Sequence, residues 1–164
     1  MGKKQQYTRW DTPGSDARSL VMVSLVDRGE LCVTVVDMQT PDELLDFRFV
    51  SVAAYRNILE EYRLTEGLDV PSTGWTVIVN NSEWLEQLED VEDLFRDEQK
   101  GSVHYMIITE DDVIDILSSR LPEITKRPPA AHEINIRGKS VILHHPEDAE
   151  EIRKVLDGVG RGDG

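Results

Sequence analysis

The stretch from Gly74 to Arg120 constrains the fold most, because it holds two apolar runs, each followed by an acid-rich segment. Trp75 to Asn80 is dense in branched apolar residues and predicts a strand. In the Ser82 to Phe95 segment that follows, Trp84, Leu88, Val91 and Phe95 recur at helical spacing, with Leu85 and Leu94 widening the stripe. Val103 to Thr109 predicts another strand, and Glu110 to Ser119 another helix with Val113, Ile114 and Leu117 as its buried side. Ser82 suits the N-cap of the first helix. Thr109, with Asp112 three residues on, gives a capping-box-like start to the second, and Pro122 ends it.

The flanking regions predict more strands. Leu20 to Val26 and Leu31 to Val36 are apolar runs separated by Asp27-Arg28-Gly29-Glu30, which spells an antiparallel hairpin with Gly29 available for a positive φ. Leu44 to Val52 alternates Leu45, Phe47 and Phe49 against Asp46 and Arg48, a third strand. Val52, Tyr55, Leu59 and Tyr62 then fall at intervals of three, four and three and predict a short helix. After the connector Lys126 to Ala131, runs on either side of Gly138 and the segment from Pro146 to Leu156 suggest a last strand-helix unit. The sum is an α+β fold, a mixed and mostly antiparallel sheet with three to four helices packed mainly on one face. Residues 1–18 are expected to be a flexible lead-in, 19–157 one domain and 158–164 a flexible tail.

A chain of 164 residues with 39% hydrophobic and 30% charged residues is long enough to bury a core without metals or disulfides. The net charge of −14, from 32 acids against 18 bases, disfavours nucleic acid and anionic membrane surfaces as partners. With one cysteine, no secretion-like leader and no run near the ~20 apolar residues of a membrane span, a cytoplasmic protein is expected.

Searching for chemistry turns up few motifs. Cys32 lies in an apolar run and reads as a small core residue rather than a nucleophile. His104 sits in a strand, and His144-His145 point to opposite faces if extended, so no metal site is expected, and no cofactor. No phosphate loop, nucleophile elbow or calcium loop is present in the sequence. Asn80-Asn81-Ser82 fits a glycosylation pattern but equally explains a helix cap. What stands out is charge: Glu83, Glu86, Glu89, Asp90, Glu92, Asp93, Asp97, Glu98, Glu110, Asp111, Asp112 and Asp115 face only Arg96 and Lys100. Such a surface is either a solvated face or a docking face whose field speeds capture of a basic protein.

The hairpin, the Phe47-Arg48-Phe49 strand, the Trp75 strand, the Asn81-Ser82-Glu83-Trp84-Leu85 helix start and His104-Tyr105-x-Ile107-x-Thr109 form a pattern over residues 20 to 120. It resembles small bacterial single-domain proteins of toxin-immunity and uncharacterised families. The resemblance implies an acidic, catalytically inert cytoplasmic protein and transfers no functional residues.

The first functional expectation is therefore a non-enzymatic, immunity- or antitoxin-like module that occludes a basic partner. Its docking face would hold Glu83, Glu86, Glu89, Asp90, Asp93, Asp97, Glu110, Asp111 and Asp115. The alternative is a small-molecule-binding protein or enzyme with a pocket between sheet and helices lined by Cys32, His104 and Tyr105. A third reading is a homodimer through an edge strand such as Leu20 to Val26.

Overall fold

The computed structural model describes residues 2–63, 67–90, 100–130, 133–136 and 139–142. Its strands are β1 (Gln6–Arg9), β2 (Leu20–Asp27), β3 (Leu31–Asp37), β4 (Leu44–Phe49), β5 (Val52–Leu59), β6 (Thr76–Asn80), β7 (Val103–Ile108), β8 (Asp112–Ser118), β9 (Glu123–Arg127), β10 (Glu133–Ile136) and β11 (Lys139–Ile142). Two antiparallel sheets, ordered β1-β6-β7-β8-β5 and β2-β3-β4-β9, carry nine of them, and β10 with β11 forms a separate two-stranded sheet. Among the described residues there are only two α-helices, α1 (Val70–Thr73) and α2 (Glu83–Glu89). The expected α+β fold with three to four helices is thus corrected to a nearly all-β one.

The hairpin at Gly29 forms as the sequence predicts, with Gly29 at φ 82° and β2 pairing with β3 from Leu20↔Asp37 to Asp27↔Leu31. Strand β4 also forms as expected. Its pairing with β3 sets Phe47 opposite Val33 and Phe49 opposite Leu31. These side chains meet Tyr105, Ile107, Ile114 and Ile116 of the other sheet in the main core, so one face of each sheet is buried against the other. Trp10 seals that core, its ring 4.8 Å from Tyr105 and 5.7 Å from Phe47.

Two expected helices are strands instead, and in each case a helical signal has a β explanation. Tyr55 and Leu59 are four apart, a spacing that puts side chains on one side of a helix and of a strand alike. Val52 joins that side because a bulge between Val52 and Ala54 offsets the odd spacing. Only Glu60–Tyr62 is helical there, as one 3₁₀ turn. In the second case the Thr109 hydroxyl accepts from the Asp112 N–H at 3.0 Å, the bond a helix cap would make, but here it closes the tight turn joining β7 to β8. The connector Lys126 to Ala131 begins as the end of β9, which pairs with β4. Residues 91–95 of the first expected helix, the helix from Pro146 and the tail from Gly158 lie outside the described residues.

Part of the expected lead-in enters the sheet. Residues 6–9 form β1 on the edge of the five-stranded sheet, and the loop behind them docks on β6. Ser15 donates to the Trp10 carbonyl at 2.8 Å and its hydroxyl lies 2.9 Å from that of Thr76. The Trp75 N–H donates to the Ser15 carbonyl at 3.2 Å. Gly74, at φ 78°, lets that contact form: a Cβ there would sit 2.5 Å from the Ser15 carbonyl oxygen. Replacement Gly74→Ala should cost roughly 2–4 kcal/mol, combining a strained φ with a backbone clash. Gly29→Ala, with open space around it, should cost only about 1 kcal/mol. Urea unfolding of the two variants checks this, and equal losses would contradict it.

Candidate functional site

The outer face of the five-stranded sheet is where polar chemistry collects. Toward one end it is apolar: Val77, Val79, Met106, Ile108 and Val113 pack under Tyr7, Leu68, Val70 and Trp75. Nearer the start of β7, His104 and Asp115 point out from the same face, and α2 lies over them. Helix α2 starts where expected, with the Ser82 hydroxyl accepting from the Leu85 N–H at 3.1 Å. Its Trp84 ring meets His104 edge-on at 5.4 Å, and the Arg56 guanidinium stacks 4.3 Å over the same indole.

Asp115 is fully buried and accepts from three side chains. His104 Nε2 lies 2.7 Å from Oδ1. Arg56 Nε donates to Oδ2 at 3.0 Å, and Arg63 bridges both oxygens at 3.0 and 3.1 Å. Burial opposes the charge on Asp115, but hydrogen bonds from His104 and Arg63, with the Arg63 charge, override it and hold the carboxyl well below the usual carboxylate range. On the far side of the ring, His104 Nδ1 lies 2.7 Å from the Ser82 hydroxyl. An ionised Asp115 only accepts, so Nε2 carries a proton, and Nδ1 and the Ser82 hydroxyl share a hydrogen bond on the far side of the ring.

Ser82, His104 and Asp115 therefore stand in the order of a hydrolytic triad, a relation hidden in the sequence because 33 positions separate the ends. Chemically they do different work. Ser82 is buried and its oxygen already accepts from the helix, while Asp115 is neutralised by two arginines rather than reserved for the imidazole. Both oxygens of Asp115, both ring nitrogens of His104 and the Ser82 hydroxyl have partners here. What the cluster accomplishes is to fasten α2 and the segment after β5 onto the sheet.

The expected pocket does not assemble. Cys32 lies on the outer face of the four-stranded sheet, Tyr105 in the core between the sheets, and His104 on the opposite outer face. Burial pushes the Cys32 thiol up, away from the reactive thiolate. Around Cys32 is a second polar cluster, where Asp46 accepts from Thr34 at 2.7 Å and Arg127 at 2.6 Å, and Arg127 grips Glu133 through two bonds at 2.5 and 2.9 Å. This anchors the start of the β10–β11 sheet. Among the described residues no group of three metal-ligating side chains is found, and His132, His144 and His145 lie outside them.

The expected docking face is divided. Glu83, Glu86, Glu89 and Asp90 are exposed on or just beyond α2. Glu110 and Asp111 are exposed too, but at the far end of β7, about 20 Å from its start at 3.3 Å per residue. Asp115 is removed from the face altogether by its burial, and Asp93 and Asp97 lie outside the described residues.

Removing the Asp115 carboxylate leaves Arg63 and His104 without their shared acceptor, so Asp115→Ala should lose about 3–5 kcal/mol. The pH dependence follows from the depressed native pKa. The stabilisation from Asp115 is complete above its unfolded pKa of about 3.9 and fades as pH falls toward the native value. The stability gap between the wild type and Asp115→Asn should accordingly be flat above about pH 5 and close below about pH 3.9. Urea titrations across that range measure it, and a gap that widens in acid would contradict the assignment.

No helix among the described residues is long and apolar enough to cross a membrane, a statement that does not bear on β-barrels. No protein-family model, curated protein or solved structure matches the chain.

Proposed function

We propose that the chain is a non-enzymatic protein-binding module, of the immunity or antitoxin kind, that captures a basic partner. The observation that carries this reading is the exposed acid on and beside α2. Glu86, Glu89 and Asp90 make no ion pair among the described residues, in a chain of net charge −14. Where the fold needs carboxylates for itself, as at Asp115 and Asp46, it buries or half-buries them and supplies arginines. The acids on α2 receive no such partners among the described residues. They leave a negative field available to speed association with a cationic protein and to repel acidic ones.

The reading also draws support from the buried Ser82-His104-Asp115 cluster, whose side chains are occupied in holding α2 in place. The same cluster gives the acidic helix a rigid base, which lowers the ordering cost of docking.

The test is capture on the immobilised full-length protein at about 50 mM and about 300 mM salt, where screening differs more than twofold in length. A cationic protein held in one-to-one ratio at low salt should be released at high salt. It should be captured at least about tenfold less by a Glu86→Lys, Glu89→Lys, Asp90→Lys triple variant. A partner held equally by the variant, or equally at both salts, would overturn the reading.

A further inference from the structure

The edges of the two sheets differ in how they are protected. Strand β1 has four residues, β9 carries the exposed Lys126, and β2 has strand β11 against it. All three are common ways of blunting an edge against further pairing. Strand β5 has eight residues, no strand on its outer side among the described residues, and no lysine.

The register shows which backbone groups β5 offers. The Glu60 N–H donates to the Asp111 carbonyl at 2.9 Å, and these two residues continue the pairing that sets Leu59 opposite Asp112. In an antiparallel ladder hydrogen-bonded and non-bonded pairs alternate, so Ile58 and Arg56 also bond to β8. Tyr55, Asn57 and Leu59 then turn their N–H and C=O groups outward. Their side chains point to the side facing the four-stranded sheet but overhang its edge: Tyr55 is 38% and Leu59 50% exposed, and Tyr62 beyond them 72%. At the start of β5, a cleft of about 480 Å³ runs between Val50 to Tyr55 and the β2–β3 turn, with Asp27 and Leu31 on its wall. At the other end Leu59 shares a smaller cleft with Glu60, Glu61, Glu110 and Asp111.

We infer that the open edge of β5 accepts an added strand from a basic, extended segment of a partner protein, an inference that rests on the proposed binding of a basic partner. The outward backbone groups supply the pairing, Tyr55 and Leu59 supply apolar contact for alternate side chains, and acids at both ends select lysine and arginine in the entering segment. The same acids oppose a second copy of this chain at that edge, since two such strands would bring like charges together.

The probe is a capped peptide of about eight alternating lysine and valine residues, matching β5 in length, added to the full-length protein. Its binding should slow amide exchange at Tyr55, Asn57 and Leu59 by about tenfold or more, leaving Arg56 and Ile58 unchanged. A glutamate-valine peptide should not do so. Asn57→Pro, which removes an outward N–H, should weaken the peptide at least about tenfold, and Asn57→Ala, which keeps it, by less than about threefold. Should the proline variant fold poorly, a Tyr55→Lys, Leu59→Lys double variant serves, with the same loss of peptide expected. Unchanged exchange at the three amides, equal binding by the proline and alanine variants, or self-association that Asn57→Pro abolishes would each overturn the inference. If a natural partner is lost on the α2 charge reversal but kept by Asn57→Pro, strand addition falls while the acidic-face reading stands. If the partner is indifferent to salt and to the charge reversal, the parent reading falls and this one with it.

Discussion

A carboxylate with no solvent access, in the middle of a sheet, is costly unless it is ionised and fully paired, and that constraint at Asp115 organises much of this molecule. Arg56 must extend from β5, Arg63 must fold back after the 3₁₀ turn, and His104 must present Nε2 from β7. Each demand fixes the register of an element. β5 and β7 flank β8 with their polar side chains on the outer face, and the chain after Tyr62 returns to that face. Because His104 also shares a hydrogen bond with the Ser82 hydroxyl, the same pairing reaches α2 and sets where its first turn lies. Replacement of such a cluster by apolar residues is often neutral in stability, so its value here lies in specifying one arrangement.

The parts of this fold that were legible in the sequence were those with a single local explanation. Gly29 between two branched apolar runs permits little besides a hairpin, and the alternation Leu45, Phe47, Phe49 fits only a strand with one buried face. The helix start at Ser82 was legible because the capping hydroxyl and the acids after it act within one turn. Elsewhere the local signal is common to helix and strand. Asp115 looks like a solvent-facing position on a helix until Arg56, Arg63 and His104 are brought to it, and those partners lie 59, 52 and 11 residues away in sequence. A lone acid inside the run from Val113 to Ser118 was the available signal: strands tolerate it when a distant cation answers it. The division of the acidic surface was illegible for the same reason, since it depends on whether residues 112–118 are helix or strand.

Correction of the fold changes the character of the acidic surface rather than removing it. Twelve acids on two neighbouring helices would have formed one broad field; the observed fold sets one group on α2 and another at the β7–β8 turn, with the open side of β5 running toward that turn. Arg56 joins the regions physically, reaching from β5 to pair with Asp115 while stacking on Trp84 of α2. Under the proposed binding of a basic partner, the edge strand would supply backbone pairing and the acidic helix selection of charge.

The dependence of this arrangement on the Asp115 cluster is tested most directly by the ring of His104. In a ¹⁵N–¹H spectrum of the imidazoles recorded at about pH 8, His104 should carry a proton on Nε2, protected from exchange by burial and by its bond to Asp115. A ring with no proton on Nε2, or an Nε2 proton exchanging as fast as that of an exposed histidine, would contradict the account.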